Sequence, residues 1–107
     1  MQQCSNGETA MAVFENIFMP DTLYLLDEPE NSMSPRLQLL LKELIEKKAY
    51  LLGCQFIIAT HSPFLLSIEN AKIYNLDRCP SNVCNWYELE NLRVYFDFFK
   101  KHENVFS

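Results

Sequence analysis

Glycine is nearly absent: Gly7 and Gly53 are the only two in 107 residues. They lie too far apart to form the GxxxxGK(S/T) loop that cradles phosphates. Long apolar runs are missing too. No stretch approaches the ~20 residues needed to cross a bilayer, and the opening MQQCSNGETA has neither the basic start nor the apolar stretch of a secretory leader. Basic charge is in deficit, 9 Lys+Arg against 14 Asp+Glu, and it is scattered apart from Lys47 with Lys48 and Lys100 with Lys101. No nucleic-acid-binding stripe results, and autonomous binding to DNA is not expected. The four cysteines, at 4, 54, 79 and 84, include no CxxC pair. Cys79 and Cys84 resemble half of a zinc site, but no second ligand pair follows them. A reduced, soluble, cytoplasmic chain is the expectation.

What is present is a chain 49% hydrophobic, in keeping with one ordinary globular domain. Met11, Phe14, Ile17 and Phe18 fall at helical spacing between residues 8 and 18. The run LYLLDE, 23–28, is continuously apolar and then ends in two carboxylates, which predicts a strand buried on both faces, as in a parallel sheet. Ser34 and Pro35 read as an N-cap and first turn, opening a helix whose apolar face carries Leu37, Leu40, Leu41, Leu44, Ile45 and Leu52 and which stops near Gly53. QFIIAT, 55–60, is a second buried strand, with Cys54 beside it as a buried free thiol. Strand, helix, strand predicts a right-handed βαβ crossover. A third strand is predicted within 71–77, an edge strand within 83–87, and a terminal helix over 88–102.

In open parallel sheets, ligands bind beyond the carboxyl ends of the strands. Both predicted buried strands end there in polar groups, Asp27 with Glu28 and Thr60 with His61, so the two clusters are expected to lie close together. Adjacent carboxylates at the end of a buried strand repel each other and are costly to desolvate unless a metal or donor compensates.

The segments SNGE (5–8), LYLLDEPE (23–30), NSMSP (31–35) and IIATHSP (57–63) resemble, in order and spacing, four motifs of ABC-type ATPases. They look most like the stand-alone AAA/ABC ATPases of bacteria, distant relatives of the chromosome-maintenance and recombination-repair ATPases. The resemblance covers nearly the whole chain. It implies an α/β, P-loop NTPase-like parallel sheet flanked by helices, present as its C-terminal half over residues 1–107, with ATP and Mg²⁺ as cofactors.

The same resemblance implies the roles. SNGE corresponds to the signature motif, whose Ser5, Gly7 and Glu8 would face the γ-phosphate of ATP held by an opposite subunit. Independently, Ser5 and Glu8 read as a capping box, and Gly7 would let an anion approach a helix N-terminus. Asp27 would hold Mg²⁺ through its water shell, and Glu28 would orient and deprotonate the attacking water. Ser34 sits in the D-loop of a dimer interface and reads equally well as a helix cap. His61 would reach the γ-phosphate, while Glu30 reads as a rim residue.

The sequence departs from the family pattern in lacking a P-loop, and with it the lysine and hydroxyl that grip the phosphates. This predicts a truncated or split gene product, an apolar sheet edge and face left uncovered, and poor solubility or self-association alone. The expected partners are ATP and either a second copy arranged head to tail or a separately encoded P-loop half. Two rival readings remain at this level. One is a non-catalytic interaction fragment that docks on a P-loop partner. The other is a nuclease-like two-metal site built from Asp27, Glu28 and Glu30, in which THSP has no role.

Overall fold

Ser34 and Pro35 begin the longest helix, α2 (Pro35–Leu52). Ser34 has extended backbone angles, and its hydroxyl accepts the N–H of Leu37 at 3.2 Å, satisfying one of the donors that a helix start leaves free. The helix ends at Gly53, in the left-handed conformation with φ 69°, whose N–H bonds back to the Lys48 carbonyl. A side chain there would be strained by its φ, and its Cβ would lie 2.8 Å from Asp21 Oδ1.

The computed structural model describes residues 6–77 and 82–107, with residues 6–8 by their backbone alone. The chain divides into two units, Met1–Glu69 and Asn70–Ser107. In the first, strand β1 (Leu23–Asp27) precedes α2 and strand β2 (Gln55–Ala59) follows it. The two strands pair in parallel, from Leu23 opposite Gln55 to Asp27 opposite Ala59. Helix α1 (Asn6–Ile17) and the single-turn α3 (Pro63–Leu66) complete the unit.

The core centres on Met33, Leu41, Ile45 and Leu65. Leu26, Phe56 and Ile58 from the sheet and Ala10, Met11 and Phe14 from α1 pack against it. Phe18 is buried edge-on against Tyr24 and Phe56, with ring centroids 4.9 and 5.1 Å away. Cys54 is buried and unbridged as expected, and its thiol donates to the Met19 carbonyl at 3.1 Å.

The strands are not buried on both faces. Tyr24, Leu26, Phe56 and Ile58 turn inward, whereas Leu25 and Ile57, opposite each other in register, are 71% and 62% exposed. The α1, α2 and α3 residues of this core all pack on the one sheet face that carries Leu26, Phe56 and Ile58. Alternate strand residues point to opposite faces, so the second apolar set is left in solvent.

In the second unit, strands β3 (Ile73–Asn75) and β4 (Asn82–Cys84) form an antiparallel pair of their own, with Ile73 opposite Cys84. The strand predicted over 71–77 is thus shorter, and it does not extend the β1–β2 sheet. A 3₁₀ turn over Trp86–Glu88 then delays the terminal helix. The Glu88 carboxylate accepts the Asn85 N–H at 2.8 Å, closing a capping box one turn ahead of α4 (Glu90–Lys101). Helix α5 (Glu103–Phe106) follows. Among the described residues, no helix is long and apolar enough to cross a membrane.

Candidate functional site

The parallel ladder does not stop with β1. The Glu28 N–H donates to the Ala59 carbonyl at 2.7 Å, carrying the pairing one residue beyond Asp27. Glu28 itself has φ 46°, a left-handed conformation unusual for a glutamate, and Ser32 has φ 69°. Two turns follow, in which Asn31 N–H meets the Glu28 carbonyl at 3.0 Å and Met33 N–H meets the Glu30 carbonyl at 2.9 Å. Met33 then inserts into the core, and Ser34 caps α2. Non-glycine residues in this region of backbone space cost about 1 kcal/mol or more, and such residues cluster at functional sites.

The loop after β2 is held by polar side chains. Thr60 Oγ1 accepts the Ser62 N–H at 3.0 Å, and Ser62 Oγ accepts the Leu65 N–H at 3.3 Å as the cap of α3. The buried Ser62 hydroxyl also donates to Gln38 Oε1, whose amide nitrogen donates to the Met33 carbonyl at 2.9 Å. A chain of bonds therefore ties α2, the turn before it and the loop after β2 together.

His61 projects from that loop with its side chain 80% exposed, and its Nδ1 lies 3.9 Å from Glu28 Oε1, on a side chain 58% exposed. An open pair of this kind is screened by water and does little to hold the fold. Its backbone is fixed differently: the His61 N–H donates to Glu30 Oε2 at 3.3 Å, while Glu30 Oε1 is buried without a hydrogen-bond partner.

The structure therefore brings Asp27, Glu28 and His61 to the carboxyl end of the two-stranded sheet, as the strand ends suggest. Ser34 lies at the end of the turn that starts at Glu28, and its hydroxyl caps α2. Gly7 and Glu8 fall in the first turn of α1, whereas Ser5 and Cys79 lie outside the described residues. Glu30 has a larger part than the rim position expected of it. Its partner is 31 residues away, so no local pattern announces the contact.

Among the described residues, no three His, Cys, Asp or Glu side chains converge into a metal cage. Mg²⁺ usually needs no such cage, since it keeps several waters and takes one or two carboxylates plus the phosphates of its substrate. The exposed Asp27 carboxylate fits that requirement.

Residues 3–67 match the model of a family described as "AAA domain, putative AbiEii toxin, Type IV TA system". The match takes in α1, both parallel strands, the turn between Glu28 and Ser34, and the loop that carries His61. No curated protein matches the chain.

Proposed function

Because the chain belongs to this family of AAA domains, which at the coarse level bind and hydrolyse nucleotides, we propose that it carries the hydrolysis half of an ABC-type ATPase site. The observation that supports this most is the meeting of Glu28 and His61, 3.9 Å apart, beyond the ends of two parallel strands.

In this reading Glu28 accepts the proton of the attacking water and orients it toward the γ-phosphate of ATP. The solvent-facing position of its carboxylate leaves room for that water. His61, on the loop after the other strand, contacts the γ-phosphate and so marks the direction of attack. Asp27 holds Mg²⁺ through its waters, and the ion when bound offsets negative charge on the phosphates. The segment with Ser5, Gly7 and Glu8 faces a nucleotide held by a second subunit, with Ser34 at the shared interface. The lysine and hydroxyl of a P-loop come from polypeptide outside these 107 residues, such as a separately encoded half, and the completed site pairs head to tail with a second copy. The family description favours a toxin-like setting for the work that hydrolysis drives.

A second reading, a non-catalytic fragment that docks on a P-loop partner, is favoured by the exposed Leu23, Leu25 and Ile57. One experiment separates the two. Mg-ATP binding and turnover are measured for the full chain and for Glu28→Gln, each with and without a P-loop polypeptide. Turnover that needs the added half and disappears in Glu28→Gln supports the ATPase. Absence of ATP binding in every mixture rules it out and leaves the docking fragment.

A further inference from the structure

We propose that Glu30 is a positioning residue that sets the location of His61 relative to Glu28; its consequence for the reaction rests on the nucleotide-hydrolysing reading above. The His61 side chain makes only the open 3.9 Å approach to Glu28. Its place is therefore decided by its backbone. Beyond Ala59, where the ladder to β1 ends, the His61 N–H has one partner, the Glu30 carboxylate at 3.3 Å. An N–H bond to an ionised carboxylate is stronger than one to a neutral acceptor.

The second carboxylate oxygen points to the same conclusion. Glu30 Oε1 is shielded from water and has no donor, an arrangement that a rim glutamate avoids by swinging into solvent. Glu30 stays because its other oxygen is tethered to His61. The tether springs from the turn that begins at the strained Glu28, whose carbonyl and N–H are both engaged. One turn therefore carries the Glu28 carboxylate and, two residues later, the anchor for His61. The two groups that would face the water and the γ-phosphate keep their spacing even though neither side chain is buried.

The test compares the full chain with Glu30→Ala and Glu30→Gln by amide hydrogen exchange and by the imidazole NMR signals of His61 on adding Mg-ATP, with and without a P-loop polypeptide. In Glu30→Ala the His61 amide exchanges roughly tenfold faster, while Leu41 and Ile45 amides in α2 keep their protection. Glu30→Gln, which retains an acceptor oxygen, restores most of the difference. The imidazole response to Mg-ATP weakens in Glu30→Ala and returns in Glu30→Gln. Unchanged His61 exchange in Glu30→Ala overturns the tether, and an imidazole response equal to wild type in that variant overturns the positioning role. A wild-type imidazole that ignores Mg-ATP in both mixtures removes the nucleotide reading instead, and the exchange comparison still decides the tether.

Discussion

Ser62 Oγ donates to Gln38 Oε1 at 2.7 Å, joining residues 24 apart in sequence. Gln38 passes the connection on to the Met33 carbonyl, and Ser62 also caps α3. The hydroxyl is buried, so its loss cannot be made good by water. Ser62→Ala is expected to cost about 1–3 kcal/mol by leaving Gln38 and the Leu65 N–H short of partners. A double-mutant cycle with Gln38→Ala, read by urea unfolding, should return a coupling of about 1 kcal/mol. Strict additivity would mean that the two side chains act separately.

Leu41 is fully buried at the centre of the core, whereas Leu39, two positions earlier on the same helix, is 42% exposed. Leu41→Ala should therefore cost about 2–5 kcal/mol and Leu39→Ala within about 0.5 kcal/mol. Against a usual total of roughly 5–15 kcal/mol, the first change leaves the fold close to its limit. Thermal melts of the two variants check the contrast.

Gly53→Ala meets two separate obstacles, a left-handed backbone and a carboxylate oxygen 2.8 Å from the new methyl. The backbone part alone is about 1 kcal/mol. Adding Asp21→Gly removes the carboxylate and suits the φ of 54° at that position. The double variant should then melt above Gly53→Ala alone. Equal melting temperatures would show that the contact with Asp21 is not felt.

Leu25 and Ile57 face each other across the ladder on the open side of the sheet. Leu25→Lys with Ile57→Glu places opposite charges there and removes an apolar patch that favours association. Light scattering across a concentration series should show less self-association, with a melting temperature within a few degrees of wild type. If the docking reading holds, the same variant also loses its P-loop partner.

Asp27→Asn and His61→Ala separate the two chemistries that carboxylates at strand ends can support. Both side chains are exposed, so both variants should fold. ATP turnover by the assembled site should fall at least ~100-fold in each. Nuclease activity that survives His61→Ala but not Asp27→Asn would favour the two-metal alternative instead.

The ends of β1 and β2 were legible in the sequence because each apolar run stops abruptly at polar residues, and parallel pairing then requires the two ends to meet. The exposure of Leu25 and Ile57 was not legible in the strands themselves; it followed only from the missing P-loop, which predicts an uncovered apolar face. A continuous apolar run looks the same whether one face or both are covered, and only the packing of the helices distinguishes them. Ser34 was readable as a cap because the signal is local, and the Asn85 to Glu88 capping box carries the same kind of signal. Glu30 was underrated because its partner is remote, and the left-handed φ of Glu28 contradicts the backbone preference of its own residue type.

The pairing of Leu23 with Gln55 also sets an order of events during synthesis. At ~5–20 residues per second, roughly two to six seconds separate the emergence of β1 from that of its partner. Throughout that interval β1 waits for β2, while α2 can already begin to coil on local contacts alone. The Glu28 N–H gains its Ala59 acceptor only when β2 arrives, so the acidic end of the sheet closes after α2 has emerged and before the strands and helices of residues 70–107 do.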